Sequence, residues 1–150
     1  MTAYELEHYL HKHIPLSAAM QVFVVKLSSE EIVLGAPLAS NINHRHTVFG
    51  GSASALAILA AWSLVHVRLV AEGLAARLVI QRNTMNYDGP MAGPFQAHAT
   101  APSVAAWSSF IDGFRRKGRA RISISATLTC DGLKAGRLEG DFVALAGTDA

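Results

Sequence analysis

A long apolar segment constrains the fold of this chain more than any other feature. From Ala53 to Val70 nearly every residue is hydrophobic, and a glycine pair stands shortly before. The polar residues within the segment are Ser54, Ser63, His66 and Arg68. Its uninterrupted part, residues 55–62, is shorter than the roughly 20 residues that span a membrane. The segment therefore predicts a helix over Ser52–Glu72, buried on nearly all sides and closed by Gly73.

The composition is that of one globular, intracellular domain. The chain has 150 residues, of which 51% are hydrophobic and 16% charged, and this balance suits a buried core. The net charge of +2 gives no reason to expect nucleic-acid binding. A single cysteine, Cys130, cannot form an internal disulfide, and the N-terminus lacks the pattern of a signal peptide. We therefore expect one cytoplasmic domain over residues 1–150, with no membrane partner.

Most of the remaining chain has the pattern of strands. Residues 119–129 alternate almost strictly between apolar and polar side chains, which is the period of a half-buried strand. The other predicted helices are Tyr4–His13 and Ser103–Lys117, and the predicted strands are Met20–Leu27, Glu31–Leu38, Leu78–Tyr87, Phe95–Ala101, Arg119–Thr129 and Leu133–Leu145. A sheet wrapped around one apolar helix buries that helix. The order of elements predicts an α+β hotdog fold with an antiparallel sheet around the long central helix.

The polar segment before the long helix, NINHRHTVFGGS over residues 41–52, is a candidate binding site. A helix N-terminus offers unpaired amides and the positive end of its dipole. Gly50 and Gly51 lack a Cβ, so a ligand can approach their amides closely. Together with Asn43, such donors can stabilise negative charge that develops on a carbonyl oxygen. The alternative is a purely local role for these side chains, with loop bonds for Asn41, Asn43 and Thr47 and a helix cap for Ser52.

The segment APLASNINHRHTVFGGSASALAILAAW, residues 36–62, resembles the signature of the hotdog domain at the C-terminus of YiiD-type two-domain proteins. That domain also occurs as a standalone protein, and its group includes thioesterases and the malonyl-acyl-carrier-protein decarboxylases of the Mad family. The resemblance continues through the strand that ends at Tyr87 and over residues 116–132. It implies an enzyme acting on an acyl thioester of acyl carrier protein or coenzyme A. It also implies no cofactor, and assembly as a homodimer or a dimer of dimers.

The resemblance assigns roles residue by residue. The family's loop asparagine falls on Asn43 and its helix-opening glycines fall on Gly50 and Gly51, which are the expected catalytic groups. The expected substrate contacts are Asn41, His44, Arg45, Thr47, Val48, Phe49, Ser52, Arg82 and Tyr87. The chain departs from the pattern by Phe49 in place of a histidine, and by Ile58 and Arg82 in place of acidic residues. The departure at Ile58 removes the carboxylate that would activate water for hydrolysis.

These departures bear on the choice between hydrolysis and decarboxylation. Thioester hydrolysis usually needs a base to activate water, and residues 52–71 contain no Asp or Glu. Decarboxylation of a malonyl thioester needs only donors for the enolate oxygen and an apolar pocket for the leaving carboxylate. The sequence therefore favours a malonyl-acyl-carrier-protein decarboxylase. A thioesterase that uses Glu72, Asp88 or a residue of a second subunit stays open, as does a non-catalytic acyl-thioester binding module.

Basic side chains have two competing interpretations. The one basic cluster of the sequence comprises Arg115, Arg116, Lys117, Arg119 and Arg121. It suits the docking of an acidic carrier protein or of coenzyme A phosphates, but it is also the ordinary basic last turn of a helix. In the polar segment, His44 and His46 stand two residues apart without a third ligand, so we expect no metal.

Overall fold

The computed structural model describes residues 1–147. In chain order the helices are α1 (Ala3–His13), α2 (Pro15–Ala19), α3 (Gly50–Ala71) and α4 (Val104–Lys117). The strands are β1 (Phe23–Leu27), β2 (Glu31–Ala36), β3 (Ala76–Tyr87), β4 (Phe95–Thr100), β5 (Arg119–Cys130) and β6 (Leu133–Ala146). Every helix and strand that the sequence predicts is present, and α2 is an addition.

The strands form one antiparallel sheet in the order β1-β2-β4-β5-β6-β3. β5 and β6 are joined by a tight turn at Asp131 and Gly132, whose φ angles are 51° and 75°. A two-residue hairpin turn requires such left-handed backbone, which an Asp-Gly pair adopts readily. The apolar side chains of β5 point into the core, and the buried ones are Ile122, Ile124, Ala126 and Leu128. This sheet with its central helix is the predicted hotdog fold.

α3 is the core helix against which the sheet packs. Its fully buried side chains include Leu56, Ala57, Ala60 and Leu64, and the alanines let the helix lie close to the strands. Among the described residues α3 is the one helix long and apolar enough to cross a membrane, with a mean hydropathy of 1.7. However, 61% of its most apolar window is buried inside the protein, as expected of a core helix in a protein of this fold.

The start of α3 differs from the prediction. The helix begins at Gly50, and the residue before it, Phe49, has extended backbone and forms no side-chain cap. Ser52 is thus the third residue of the helix, so the alternative interpretation of Ser52 as a helix cap is wrong, and its contact with substrate stays a prediction. The amide of Phe49 donates to the carbonyl of Asn41 at 2.8 Å, which fixes where the extended chain ends. At the other end, Gly73 has a φ of 70°, as predicted for a residue that closes a helix.

The first two strands are shorter than predicted. β1 begins at Phe23 and not at Met20, because the Met20 and Val22 amides donate to carbonyls of α2 and Gln21 adopts a φ of 59°. α2 was missed because it is short, although it begins at a proline, which suits a first helical position. β2 ends at Ala36 and not at Leu38, because the following proline has no amide to donate.

Three strand edges are left without a strand partner in the described part of the chain. β1, at one end of the sheet, pairs only with β2. β4 reaches only residues 126–130 of β5, and α4 lies beside the earlier half of β5, which β4 does not reach. β3 pairs only with β6 and is therefore an edge strand. Of its 12 side chains, only Leu78 is classed as buried. A long edge of this kind offers its backbone groups to another chain.

Candidate active site at the start of the central helix

Asn43 organises the loop that leads into α3. Its Oδ1 accepts hydrogen bonds from the amides of Arg45 at 2.8 Å and Thr47 at 3.1 Å. Its Nδ2 donates to Thr47 Oγ1 at 3.0 Å and, over a longer 3.4 Å, to the carbonyl of Val48. The Asn43 side chain is thus engaged within its own loop, as the local alternative predicts. Its contact with substrate stays a prediction.

Asn41 anchors the same loop to the rest of the fold. It is 3% exposed, and its Nδ2 donates to the carbonyls of Met20 at 2.9 Å and Pro37 at 2.8 Å. Its own carbonyl accepts from Phe49, and Ile42 bridges to Val48. Because its amide group is turned into the protein, Asn41 fixes the position of the loop, and a direct contact with substrate stays a prediction.

The first turn of α3 leaves backbone amides without acceptors. The first amide of this turn with a partner is that of Ala53, which donates to the carbonyl of Phe49 at 3.0 Å. Within residues 1–147, no group accepts from the amides of Gly50, Gly51 or Ser52. These three N–H groups lie at the positive end of a 22-residue helix. They are the arrangement that an anionic oxygen needs.

A cavity of about 430 Å³ opens beside Gly50, and we name it the helix-start cavity. It is lined by Val48, Gly50, Ala53, Tyr87, Gly89, Pro90, Met91, Leu128 and Ala135. The structure thus brings together three residues that the sequence predicts for the site: Val48, Gly50 and Tyr87. The ring of Tyr87 stands 3.5 Å from the position of a Cβ on Gly50, so any side chain there would narrow the cavity.

The other residues of the helix-start cavity were not predicted. Apart from Ala53 of α3, they come from the loop after β3 and from the β5–β6 hairpin, which have no recognisable chemistry in the sequence. A backbone bond from the Val48 amide to the Met91 carbonyl, 2.8 Å long, joins the loop before α3 to the loop before β4. Only the sheet register could have revealed that the ends of β3 and β5 lie close together, because Tyr87 of β3 and Leu128 of β5 both lie opposite Gly136 of β6.

A second cavity of about 300 Å³ lies on the opposite side of the same helical turn. It is lined by Leu16, Ala19, Met20, Ser40, Phe49, Gly51, Ser52 and Ala55. The Phe49 ring covers Gly51 so closely that a Cβ there would collide with it. The glycine pair is therefore divided between two cavities, Gly50 facing Tyr87 and Gly51 facing Phe49.

Several predicted site residues, Asn43 among them, line neither cavity. His44, Arg45 and His46 are exposed on the loop, and among residues 1–147 no three His, Cys, Asp or Glu side chains gather as metal ligands. Arg82 is exposed opposite Asp141 on β6, roughly 17 Å along β3 from Tyr87. Glu72 lies at the far end of α3, roughly 33 Å from Gly50, and is too distant to act as a base at this site.

The carboxyl groups with a shifted pKa also lie elsewhere. A hydrogen bond from Lys26 lowers the pKa of Glu31, and one from Ser125 lowers the pKa of Glu139. The pKa of Glu5 is lowered first by the backbone amide of Thr2. None of these groups lines the helix-start cavity. The electrostatics of the site therefore rest on the free amides and the helix dipole.

The predicted docking residues divide into two groups. Arg115 forms an ion pair with Glu72, Nη2 to Oε2 at 3.5 Å, which suits the structural interpretation of that residue. Arg116, Lys117 and Arg119 line a separate groove between α4 and β5, together with Arg121. The residues of this groove lie at the opposite end of β5 from Leu128, which lines the helix-start cavity.

An antiparallel sheet on an apolar central helix, with free amides and an apolar cavity at the helix start, defines a thioesterase-like hotdog protein. The chain belongs to the family described as "Putative thioesterase (yiiD_Cterm)", which matches residues 3–146.

Solved structures agree with this fold along nearly the whole chain. A protein of unknown function from Chlorobaculum tepidum is 29% identical, with a TM-score of 0.93 over 97% of this chain and 94% of that one. A "putative thioesterase" from Shewanella oneidensis is 24% identical, with a TM-score of 0.86 over 95% and 96% of the two chains. A "probable thioesterase" from Pseudomonas aeruginosa is 16% identical, with a TM-score of 0.84 over 98% and 97%.

Proposed function

We propose that this chain decarboxylates a malonyl group held in thioester linkage on acyl carrier protein, leaving an acetyl thioester. The observation that carries the proposal is the lining of the helix-start cavity. Its walls hold hydrophobic groups, glycines and one phenol, with no carboxylate or imidazole from residues 1–147. Hydrolysis needs a base to activate water, whereas decarboxylation needs only donors and a dry apolar surface.

The reaction requires no group that this cavity lacks. The bond between the malonyl carboxylate and the neighbouring carbon breaks, CO₂ leaves, and the electron pair forms an enolate whose charge lies on the thioester oxygen. A proton from solvent then adds to the carbon, and the bond to sulfur stays intact. The barrier therefore depends on how well the protein stabilises charge on one oxygen.

The proposed donors to that oxygen are the amides of Gly50 and Gly51, which are free at the positive end of α3. Asn43 is the proposed third donor. Its 3.4 Å bond to the Val48 carbonyl is the longest of its contacts, so a substrate oxygen can replace it at small cost. One such preorganised donor is worth about 3 kcal/mol in the transition state, or on the order of a hundredfold in rate.

The proposal includes a homodimer formed through β3. This strand is 12 residues long, has no neighbour on its outer side in the described structure, and exposes Val79 at 49% of its surface. Pairing of two such edges satisfies their backbone groups, and the two-fold symmetry of a dimer makes that pairing antiparallel. Tyr87 ends this strand, so the dimer interface would border the helix-start cavity.

The family description favours a second candidate, hydrolysis of an acyl thioester. The base would be Asp88, which stands between the cavity residues Tyr87 and Gly89 and whose amide donates to the Ala135 carbonyl at 2.9 Å. The products distinguish the candidates. Hydrolysis frees the carrier thiol, decarboxylation keeps the thioester, and a non-catalytic binding module does neither.

Mass spectrometry of malonyl-acyl carrier protein incubated with wild type, Asn43→Asp and Asn43→Ala tests the proposal. Asn43→Asp keeps the oxygen that accepts from the Arg45 and Thr47 amides, but it loses the donor. We expect wild type to form acetyl-acyl carrier protein, and both variants to be slower by about a hundredfold. Ser54→Ala, on the same helical turn but in neither cavity, should match wild type.

Each other outcome has a definite meaning. Release of free carrier protein by wild type would replace decarboxylation with hydrolysis, and Asp88→Asn would then be tested as the loss of its base. Full activity of Asn43→Asp beside an inactive Asn43→Ala would show that Asn43 only holds the loop. Unfolding curves of all variants separate loss of fold from loss of chemistry.

A further inference from the structure

A groove between α4 and the first half of β5 is the largest of the cavities described here, with a volume of about 560 Å³. It exists because β4 pairs with β5 only from residue 126 onwards, and because small side chains line the space between α4 and the part of β5 that β4 does not reach. These small residues are Ala106, Ser109, Gly113, Ala120 and Ser123. A Cβ on Gly113 would lie 3.6 Å from that of Ala120, which shows how closely helix and strand approach at the floor.

The rim of this groove carries four cations: Arg116, Lys117, Arg119 and Arg121. All four are exposed, and within residues 1–147 none of them has a carboxylate within 4.0 Å. Their neighbour Arg115 is paired with Glu72. Asp141, which lies opposite Ser123 on β6, accepts a hydrogen bond from the Ser123 hydroxyl. The groove thus concentrates positive charge that the protein does not neutralise.

We propose that this basic groove docks the acidic surface of the carrier protein that delivers the thioester, an inference that rests on the proposed function. Exposed cations at a rim suit carboxylates on a second protein, because such charges steer association while remaining partly hydrated. A nucleotide would need a flat partner for its base, and the aromatic ring in the lining, Phe110, is only 3% exposed. The groove is therefore assigned to a protein partner and not to coenzyme A.

The cations of the groove lie far from the cavity of their own subunit. Arg121 and Arg119 are seven and nine residues along β5 from Leu128, which lines the helix-start cavity, or roughly 24 and 30 Å. The phosphopantetheine arm of a carrier protein has the length of about five extended residues, or roughly 18 Å. Carrier docked at this groove would therefore leave its thioester short of the cavity on the same chain.

The proposed β3 dimer removes this difficulty. Arg119 and Arg77 both lie opposite Leu145, so the groove is at the Ala76 end of β3, and the cavity is at the Tyr87 end. Antiparallel pairing of two β3 edges sets the Ala76 end of one strand beside the Tyr87 end of the other. Three strand spacings, roughly 15 Å within the plane of the sheet, then separate the β5 backbone beside the groove from the partner subunit's cavity, and this span is shorter than the arm.

Binding of fluorescently labelled holo-acyl carrier protein, followed by anisotropy at low salt, tests the groove without any turnover. The variant Arg119→Glu/Arg121→Glu should weaken binding by at least about tenfold, and added salt should weaken wild-type binding. The control Lys12→Glu/Lys134→Glu makes the same change of charge at exposed sites elsewhere and should bind as wild type does. Equal binding by both double variants would overturn the proposal, as would displacement of the carrier by equimolar coenzyme A.

Mixed dimers test which cavity the groove serves. One subunit carries the groove variant and its partner carries Asn43→Asp, and the activity on malonyl-acyl carrier protein is compared with that of each parent homodimer. We expect the mixed dimer to recover a quarter or more of wild-type activity, because its intact cavity faces its intact groove across the interface. A mixed dimer as inactive as its parents would overturn the crossed arrangement. A wild type that binds carrier but makes no acetyl product would refute the proposed function and leave the docking groove standing.

Discussion

The two ends of α3 are built in opposite ways. At the C-terminal end, Glu72 accepts a hydrogen bond from Trp107 Nε1 at 3.3 Å and pairs with Arg115, and Arg68 lies 4.3 Å above the Trp107 ring. At the N-terminal end, no side chain caps the helix, and two cavities meet at Gly50 and Gly51. One end is closed by side chains, and the other leaves its backbone amides open.

The difference is not a general property of helix starts in this chain. α1 begins with a complete capping box formed by Thr2 and Glu5, and α4 begins with Ser103, whose hydroxyl accepts from the Ala106 amide. The five-residue α2 has no side-chain cap and begins with a proline instead. Side-chain caps are each worth about 1 kcal/mol. The absence of a cap at α3 therefore gives up stability at the one helix start that borders the helix-start cavity, which is what a binding site for an anionic oxygen requires.

Trp107→Ala should give the largest effect, and it should fall on stability alone. Trp107 is 7% exposed, and truncating a buried tryptophan costs about 3–5 kcal/mol. Its ring also lies beneath the Arg68 guanidinium, and its Nε1 donates a hydrogen bond to Glu72. Thermal and urea unfolding should report this loss, whereas the rate constant of the folded fraction should stay within about twofold, since the site is roughly 33 Å away. Val104→Ala, at a position 86% exposed on the same helix, is the control. A large fall in rate would mean that the two ends are coupled.

Gly50→Val, at the N-terminal end of α3, should lower the rate of the reaction and leave the stability nearly unchanged. The Cβ alone would stand 3.5 Å from the Tyr87 ring, so the two methyl groups must fill the mouth of the cavity and cover the amides. We expect the rate of decarboxylation to fall by about a hundredfold, while the free energy of unfolding changes by less than about 1 kcal/mol. Ser54→Val, on the same turn, controls for the helix propensity of valine. Undiminished turnover by Gly50→Val would place the reaction in a different cavity.

Phe49→Ser and Phe49→Ala test whether the amides at the start of α3 can be used either for a stabilising cap or for catalysis. Serine at this position can accept from the amides of Gly51 or Ser52, whereas alanine cannot. Phe49→Ser should therefore be more stable than Phe49→Ala by about 1 kcal/mol, and it should be slower if the cap takes the Gly51 amide, which is a proposed donor. The comparison needs only unfolding curves and rates of the two variants. Equal rates would mean that the amide taken by the cap is not used.

The fold could be predicted from the sequence because its signals are local and repeated. The alternation over β5, the apolar run of α3 and the Asp131-Gly132 turn each follow from the period or the backbone preference of nearby residues. The errors fall where a distant contact decides. Met20–Val22 has the composition of a strand, but its amides bond back to α2. Ser52 has the chemistry of a cap, but the bond from Phe49 to Asn41 starts the helix earlier.

The candidate site could be predicted only where it carries recognisable chemistry. Asn43, Gly50 and Gly51 stand out in a polar segment before a helix, and of these three the glycines line the two cavities. Ala53, Met91 and Ala135 are ordinary apolar residues in the sequence, and they line the cavity because the register of β3, β5 and β6 brings their elements together. The basic groove likewise depends on where β4 ends, which no local pattern encodes.

The smallest effect should come from the capped start of α1, and it should depend on pH. The Thr2 amide donates to Glu5 Oε2 at 2.7 Å, and this bond lowers the pKa of Glu5 in the folded protein. A carboxyl whose pKa is lowered by folding contributes stability above its unfolded pKa, about 4.3, and loses it as the pH falls through the folded value. Glu5→Gln keeps a capping side chain that does not titrate. Between pH 6 and pH 3, wild type should therefore lose more stability than the variant in thermal unfolding, with equal turnover at pH 7. Parallel stability curves would mean that the capping box does not form in solution, and the contrast between capped and open helix starts would then rest on Ser103 alone.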